Sequence, residues 1–299
     1  MSIEIIPARR TELGSIKILR ALPRRQRRMV GPWCFLDRFG PLQFTTDKGM
    51  DVAPHPHMGL QTVSWLVAGE MIHKDSLGCE ALMRAGQLNL MTSGRGIAHS
   101  EETPKQNSGK LDGVQLWVTL PDEQRKIAPS FDHHASLPVF NIRSTTIQLI
   151  IGKMMQQESP AKAFSPIVGA EIVFHDSSVI DLPLEKRFEH AIILLHGEGA
   201  LDGSPIEATA LHYISSGRSE LRISGSPNCR LLLIGGEPFR EPILMWWNFV
   251  ARTHEEMTEA RQNWMQHERF GEVLSYSGPR VPAPELSETI KRSDTASAD

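Results

Sequence analysis

The chain has 299 residues, of which 40% are hydrophobic and 22% are charged, and its formal net charge is −3. This near-neutral balance argues against a general nucleic-acid partner or a membrane-surface partner. The length is too great for one ordinary domain. It suits two domains or one large all-β body, with enough hydrophobic residues for a packed core.

One short basic run, RALPRRQRR from Arg20 to Arg28, interrupts the otherwise even charge distribution. Such a run is compatible with a nucleic-acid patch or a localisation signal. A solvated, partly ion-paired segment that leads into the first domain would have the same composition, and we favour this second interpretation. Direct binding of nucleic acid is therefore not expected.

The three cysteines, Cys34, Cys79 and Cys229, lie far apart and form no CxxC pair. This pattern predicts neither a disulfide framework nor a zinc ribbon, and it fits a reducing compartment. The first residues, MSIEIIPARR, contain no apolar stretch typical of a signal peptide, and no apolar run approaches the roughly 18–20 residues of a membrane span. We expect a cytoplasmic protein without membrane contact.

Strand signals dominate the first half of the chain. Residues 30–44 are rich in Gly, Pro and aromatic residues and predict short extended pieces and turns. Thr62–Val67, Gln87–Thr92 and Val114–Leu120 then carry β-branched or alternating apolar residues, separated by Gly-rich turns. Short, closely spaced strands of this kind are typical of a sandwich or a barrel.

A second all-β block of similar size follows a polar stretch that ends near His134. Its strand signals lie at residues 145–152, 170–176, 178–184, 190–201, 210–215, 219–225 and 229–236. The two blocks indicate a duplicated architecture without an obvious sequence repeat. We therefore predict a first domain over residues 1–136 and a second over residues 137–275.

One short helix is predicted near the C-terminus. Thr253 and Glu256 form a capping-box pattern, and Met257, Ala260 and Trp264 follow at helical spacing, which gives one apolar face. Residues 276–299 are polar and rich in Pro and Ser, and we predict that they form a disordered tail.

Two pairs of metal-capable residues flank the stretch from Val52 to Glu101. His55 and His57 form one i, i+2 pair, and His99 and Glu101 form another. On a β-strand, residues i and i+2 point to the same face. If the two strands are neighbours, all four side chains reach one ion, because opposed Cβ atoms lie about 4.5–5.5 Å apart.

Three imidazoles and one carboxylate form a donor set that suits Fe(II), Mn, Co, Ni or Cu. Structural zinc sites are usually Cys-rich and closed, so structural zinc is a weaker match. Four protein ligands would leave two open positions on a six-coordinate metal. Because the imidazoles must be neutral to bind, metal occupancy should fall in acid.

The sequence resembles the pirin family, whose members are two-domain proteins of the cupin superfamily. The resemblance rests on six motifs in family order: GPWCFLDRFGP (31–41), HPHMGLQTVSWLVAGE (55–70), HKDSLG (73–78), MTSGRGIAHSEE (91–102), VQLWVTLP (114–121) and GGEPFREPI (235–243). It implies an all-β bicupin, that is, two consecutive cupin-type jelly-roll β-barrels, here followed by a short C-terminal helix.

The resemblance also implies one metal in the N-terminal cupin, usually iron, held by His55, His57, His99 and Glu101. We accordingly expect one divalent transition metal, Fe(II) first, with Ni, Co, Mn, Cu or Zn as alternatives. Gln61 stands where many cupins have Glu, and we expect it to lie outside the ligand set. The second block contains no HxH paired with an HxE, and we expect it to be metal-free.

The resemblance is compatible with two functions. Some pirin-like proteins cleave flavonols such as quercetin with O₂, which predicts a quercetin 2,3-dioxygenase with a flavonol substrate and Glu101 as the catalytic base. Others resemble metal- or redox-sensing regulators that bind a protein partner. We rank the metal-dependent dioxygenase first and keep the regulator as the alternative.

Overall fold

A computed structural model of the chain describes residues 2–13, 16–44, 49–286 and 292–293. The regular secondary structure of the described residues consists of β-strands and one α-helix. The predicted all-β fold class with a short C-terminal helix is confirmed.

The strands of the first half of the chain are β1 (Glu4–Pro7), β2 (Arg9–Leu13), β3 (Ile16–Leu22), β4 (Trp33–Gln43), β5 (Asp51–His57), β6 (Leu60–Asp75), β7 (Glu80–Arg84), β8 (Leu88–Thr92), β9 (Ile97–Glu102), β10 (Lys110–Thr119), β11 (Ser130–His134) and β12 (Val139–Ile142). In place of the short pieces predicted over residues 30–44, the structure has the continuous strand β4.

The elements of the second half are β13 (Thr145–Met154), β14 (Gln157–Glu158), β15 (Ile167–Phe174), β16 (Ser178–Pro183), β17 (Glu189–His196), β18 (Gly199–Leu201), β19 (Ser204–Pro205), β20 (Ala210–Ile214), β21 (Glu220–Gly225), β22 (Arg230–Gly236), β23 (Ile243–Trp246), β24 (Phe249–Ala251), α1 (His254–Met265) and β25 (Arg292–Ser293).

The chain divides into two compact units that interleave in sequence. Unit 1 comprises Met1–Arg10, Leu19–Asp37 and Ser136–Phe239, and unit 2 comprises Thr11–Ile18, Arg38–Ala135 and Arg240–Asp299. The predicted division after residue 136 lies one residue beyond the boundary between Ala135 and Ser136. The structure differs from the prediction at the two ends of the chain. The N-terminal strand β1 belongs to unit 1, together with the second β block, and the C-terminal helix α1 belongs to unit 2, together with the first β block. The two chain ends are thus exchanged relative to the prediction.

Long-range pairing explains the exchange at the N-terminus. Strand β1 runs antiparallel to β20, with Glu4 opposite Tyr213, and the indole of Trp33 donates a hydrogen bond to the carbonyl oxygen of Gly235 at 3.0 Å. Partners more than 200 residues apart in sequence leave no periodic signal in either segment, so the sequence pattern did not reveal this arrangement.

Unit 1 holds its core between two sheets. One sheet has the strand order β1-β20-β17-β22-β15-β13-β12, and the other has the order β16-β21-β18-β19. Buried side chains from both sheets, such as Ile172 and Leu233 from the first and Ile180 and Ile223 from the second, share one hydrophobic cluster. This is the arrangement of a β-sandwich or a flattened barrel.

Unit 2 is organised around the long strand β6. Residues 61–65 of β6 pair with β8 on one side, and the same part of the strand pairs with β10 on the other. Residues 70–75 pair instead with β7 and β9. The sheet therefore curls along β6, and β9 carries β5 on its far side.

Helix α1 begins as the capping pattern predicts. Thr253 is the N-cap, and its hydroxyl accepts a hydrogen bond from the backbone N–H of Glu256 at 3.2 Å. Met257, Ala260 and Trp264 are buried in a cluster with Met58 and Ala98 of the strand region around β5 and β9. The helix therefore packs behind the strands that carry the two metal-capable pairs.

The C-terminal segment also forms backbone hydrogen bonds with β5 and with Met58, the residue that follows this strand. The backbone N–H of Val250 donates to the carbonyl oxygen of Met58 at 2.9 Å, and that of Val281 donates to the carbonyl oxygen of Pro54 at 2.8 Å. Pro56 has no N–H to donate, which suits a strand whose only ladder among the described strands is with β9.

The predicted disordered tail, residues 276–299, is only partly described. Ala283 is buried, the hydroxyl of Tyr276 lies 2.9 Å from the carboxylate of Asp51, and the guanidinium of Arg280 stacks over Trp264. Residues 276–286 therefore pack on unit 2, which differs from the prediction. Residues 287–291 and 294–299 lie outside the described residues.

The basic run of residues 20–28 is partly ion-paired. Arg20 forms a bidentate pair with the buried Asp37, at 2.8 and 2.7 Å. Arg27 pairs with Glu4 at 3.1 Å and stacks over Tyr213. These contacts favour the structural interpretation of the run. Within the described part of the chain, no helix combines the length and the hydropathy that crossing a membrane requires.

Candidate metal centre

The register of β5 and β9 brings the two metal-capable pairs together. His55 lies opposite His99, and a β-bulge between Val52 and His55 shifts the register so that Val52 lies opposite Glu101. Because opposed residues in an antiparallel pair share a face, His55, His57, His99 and Glu101 all lie on one face of this sheet.

The three histidines form a tight group. One ring nitrogen from each of His55, His57 and His99 lies within 4.8 Å of the corresponding atoms of the other two. The ring centroids are 5.0 Å apart for His55 and His57, 4.4 Å for His55 and His99, and 4.9 Å for His57 and His99. Glu101 lies outside this group of mutually close ligand atoms.

Burial keeps these imidazoles neutral. It lowers the pKa of His55 to about 4. Burial, followed by repulsion from neighbouring histidines, lowers the pKa of His57 and His99 well below their usual value. Neutral imidazoles are the form that binds metal, so the site is ready to accept a cation at neutral pH.

Hydrogen bonds fix which nitrogen is free on two of the rings. His55 Nδ1 lies 2.9 Å from the carbonyl oxygen of Ala53, and His57 Nδ1 lies 3.2 Å from the carbonyl oxygen of Asn248. A carbonyl oxygen only accepts, so Nδ1 carries the proton on both rings and Nε2 keeps its lone pair. A neutral imidazole whose N–H is held by a carbonyl is the usual state of a metal-binding histidine.

The Nε2 atom of His99 is a further feature of a metal-capable group. His99 Nε2 is buried and has no hydrogen-bond partner among the described residues. A buried polar atom left unpaired costs about 1–3 kcal/mol, and such atoms are rare unless something else satisfies them. A cation bound at Nε2 would satisfy this atom, and three imidazoles form a donor set that fits a transition-metal ion.

Glu101 borders the histidine group as a buried carboxyl. Its Oε1 lies 3.2 Å from the hydroxyl of Ser64, which also lies 2.8 Å from Oε1 of Gln115. Burial raises the pKa of Glu101 to about 7, and the hydrogen bond with Ser64 opposes this shift. Glu101 can therefore take up or release a proton near neutral pH.

Contacts of Gln115 and Trp117 show which face of β10 lies towards the site. Gln115 contacts Ser64, and the indole of Trp117 meets the ring of His57 edge-on, with centroids 5.1 Å apart. Gln61 lies on the other face of β6 from Ser64, and its amide nitrogen donates to the hydroxyl of Thr92 at 3.0 Å. The exclusion of Gln61 from the ligand set stays a prediction.

Sequence reasoning missed a third strand of the site. His73 and Asp75 of β6 lie opposite Glu101 and His99 respectively. His73 Nδ1 lies 3.3 Å from His99 Nδ1, and His73 Nε2 lies 3.1 Å from Asp75 Oδ2. An i, i+2 pair of His and Asp was visible in the HKD sequence, but only the strand register shows that it faces the same site.

The histidines of unit 1 are arranged differently. His190 is buried beside the ring of Phe188, with centroids 6.0 Å apart. His212 Nε2 accepts a hydrogen bond from the backbone N–H of Glu207 at 3.1 Å. His196 is exposed. These contacts are compatible with structural roles, and the expectation of a metal-free second cupin stays a prediction.

β-Sheets in two compact units, with a buried histidine group on strands β5 and β9 of one of them, define a bicupin with a metal-capable centre. Residues 15–118 match the Pirin family, and residues 169–271 match the Pirin C-terminal cupin domain. The chain belongs to the pirin family.

Individual relatives cover almost the whole chain. A Pseudomonas aeruginosa protein with the provisional name quercetin 2,3-dioxygenase is 42% identical over 286 residues, which are 95% of this chain and 90% of that protein. A pirin-like protein of Caulobacter vibrioides is 34% identical and covers 94% of this chain and 99% of its own. The crystal structure of a quercetin 2,3-dioxygenase from Acinetobacter baumannii is 41% identical, covers 98% of both chains and superimposes with a TM-score of 0.95.

Proposed function

We propose that this protein is a metal-dependent dioxygenase that cleaves flavonols of the quercetin type with O₂. The observation that carries the proposal is the buried group of three neutral histidines beside the protonatable Glu101. The names of the Pseudomonas and Acinetobacter relatives support the same activity.

The proposed ligands are His55, His57 and His99 through Nε2, with the carboxylate of Glu101 as the fourth. We propose Fe(II) as the resident metal, and Ni, Co, Mn, Cu and Zn are the ions to compare with it. When bound, such a cation supplies the positive charge that stabilises the deprotonated 3-oxygen of a flavonol and the electronic coupling needed for reaction with O₂.

Glu101 is the base in this proposal. The flavonol 3-hydroxyl must lose its proton before the ring reacts with O₂, and a carboxyl with a pKa of about 7 is matched to that transfer at neutral pH. Ser64 holds Oε1 of Glu101 at 3.2 Å, so the carboxylate is oriented from the side of β6.

The surrounding side chains position the substrate and exclude water. Trp117 and Gln115 lie on the site-facing side of β10. Their indole and amide groups suit a flat, polyhydroxylated aromatic molecule, because such sites combine apolar surface with a few placed polar groups. Both residues contact the metal-capable face through His57 and Ser64 respectively.

The proposal is tested with protein stripped of metal and then reloaded separately with each cation. Quercetin absorbance should fall only when both O₂ and a loaded cation are present, and carbon monoxide should be released. Glu101→Gln should reduce the rate by at least about 10²-fold, the usual contribution of a positioned base.

Arg222→Gln supplies the matched control, since Arg222 is an exposed residue of unit 1 that pairs with Asp181 at 3.1 Å. It should leave the quercetin rate unchanged. A fully loaded protein with no quercetin turnover, and a Glu101→Gln variant with identical behaviour, would remove this substrate class from consideration.

The regulatory alternative has less support. None of the relatives described above is named for a protein partner, and the basic run that suggested a docking surface is partly engaged in ion pairs within unit 1. The cytoplasmic location expected from the free cysteines stays a prediction.

A further inference from the structure

A buried chain of three polar side chains ends at the histidine group. Asp75, His73 and His99 are 1%, 3% and 1% exposed. Asp75 Oδ2 lies 3.1 Å from His73 Nε2, and His73 Nδ1 lies 3.3 Å from His99 Nδ1. The far nitrogen of His99, Nε2, is the buried atom without a partner.

The order of donors and acceptors in this chain follows from its first member. A carboxylate only accepts hydrogen bonds, so His73 carries its proton on Nε2. The Nδ1 atom of a neutral His73 then has a lone pair, and the hydrogen between the two rings must come from His99 Nδ1. His99 is left with a bare Nε2.

Asp75 is itself held in place. Its Oδ1 accepts hydrogen bonds from the backbone N–H groups of Leu77 and Cys79, at 2.9 and 3.0 Å. Oδ1 is therefore committed to the turn, and Oδ2 faces His73. The His73 ring is fixed from another side by Phe131, which stacks on it at 4.1 Å with an interplanar angle of 6°.

We propose that Asp75 and His73 form a positioning relay that selects the metal-binding tautomer of His99 and raises its affinity for metal. This inference rests on the proposed metal centre but concerns residues that are not ligands. The Nδ1 atoms of His55 and His57 face backbone carbonyl oxygens, which can only accept a hydrogen bond. The Nδ1 atom of His99 faces His73, whose ring can donate or accept. The carboxylate of Asp75 therefore sets the direction of the hydrogen bond between the two rings.

The tautomers can be read directly in the wild-type protein. Long-range ¹H–¹⁵N correlation spectra of the metal-free protein should show His73 protonated at Nε2 and His99 protonated at Nδ1. A spectrum in which His99 is protonated at Nε2 would overturn the relay. This measurement needs no variant and no bound metal.

Asp75→Asn tests the direction of the relay. An Asn has one carbonyl oxygen, and the two N–H groups of Leu77 and Cys79 retain it at Oδ1, so the amide NH₂ faces His73 Nε2. His73 then accepts at Nε2 and donates from Nδ1, which forces the proton of His99 onto Nε2. Zn²⁺ and Co²⁺ should bind at least about tenfold more weakly by chelator competition.

His73→Phe keeps the stack on Phe131 but removes the acceptor, and it should weaken Zn²⁺ binding by about 10–100-fold. If Asp75 acts through His73, adding Asp75→Asn to His73→Phe should weaken binding no further. Equal losses from Asp75→Asn in both backgrounds, or wild-type affinity in either single variant, would contradict the proposal.

His212→Asn is the matched control. His212 is also a buried histidine with a hydrogen bond, which its Nε2 accepts from the backbone N–H of Glu207 at 3.1 Å, but it belongs to unit 1 and not to the unit that holds the histidine group. Its metal affinity should equal that of the wild type, and the Co²⁺ visible spectrum should change only in the relay variants.

These measurements separate the relay from the proposed enzyme activity. Metal affinity and tautomers are measured without flavonol or O₂, so a failed quercetin assay leaves them intact. If the wild type binds no cation at all, the proposed metal centre fails, while the tautomers of the metal-free protein still decide the relay.

Discussion

At the residue scale, burial shifts the pKa values of the site residues in opposite directions. It lowers those of the three histidines and raises that of Glu101. Burial removes protons from His55, His57 and His99, because it disfavours their charged form. It keeps a proton on Glu101 for the same reason. A cation that enters the group therefore meets neutral imidazoles and has to displace a proton only from Glu101.

The pH dependence of metal affinity should show this displacement. Between about pH 5 and 7, the logarithm of the wild-type association constant for Zn²⁺ should rise by about one per pH unit, because one proton leaves Glu101. Glu101→Gln should bind more weakly and show a flat profile over the same range, since the histidines are already neutral there. A flat wild-type profile would contradict the role of Glu101 as a ligand.

Glu101 should also leave a signature in the stability of the metal-free protein. Its pKa in the folded state lies above the usual value of 4.5, so the stabilising contribution is present at low pH and is lost as the pH rises through about 7. Relative to Glu101→Gln, the wild type should lose about 3 kcal/mol of unfolding free energy between pH 4.5 and pH 8. Urea titrations at the two pH values measure this difference, and parallel stabilities would contradict it.

At the element scale, strand β5, which carries His55 and His57, is held on both sides. Strand β9 pairs with it on one side, and the C-terminal segment bonds to Pro54 and Met58 on the other. The same segment supplies the carbonyl of Asn248 that fixes His57. The histidine group therefore depends on residues about 190 positions further along the chain.

Gly59 is the point at which this packing is tightest. It has a positive φ of 74°, and a Cβ there would lie 2.1 Å from the carbonyl oxygen of Val250. Gly59→Ala should therefore displace β24 from β5 and weaken Zn²⁺ binding as well as stability. Gly203→Ala is the control, because Gly203 has a similar φ of 83° with nothing within 4 Å and lies in unit 1. It should cost only about 1–2 kcal/mol and should leave metal affinity unchanged.

The N-cap of α1 tests the helix separately from the site. Thr253→Ala removes the acceptor for the N–H of Glu256 and should cost about 1 kcal/mol of unfolding free energy. Thr258→Ala, in the exposed part of the same helix, removes only a hydroxyl that bonds to the carbonyl of His254 and should be close to neutral. Equal losses in urea unfolding would show that the cap contributes nothing specific.

The sequence predicted those parts of the site that depend on local spacing. The i, i+2 pairs His55/His57 and His99/Glu101 lie on one face because strand periodicity is local, and the helix start at Thr253 is a local signal as well. Asn248, His73 and Asp75 reach the site only through the register between strands. Nothing in their own neighbourhoods specifies that register.

At the scale of the whole molecule, two cupin units of one fold class carry different side chains. Unit 2 contains the histidine group, whereas the buried His190 and His212 of unit 1 lie in separate surroundings. The number and type of domains followed from the strand pattern and the family motifs. The exchange of the chain ends did not, because it depends on pairings such as β1 with β20.

Oxygen uptake by iron-loaded protein with quercetin tests the central claim most directly. The proposed centre predicts consumption of one O₂ per quercetin by the wild type, none by the metal-stripped protein, and a rate at least about 10²-fold lower for Glu101→Gln. Uptake that is equal in the metal-stripped and the loaded protein, or equal in the wild type and Glu101→Gln, would contradict a metal-dependent dioxygenase at this site.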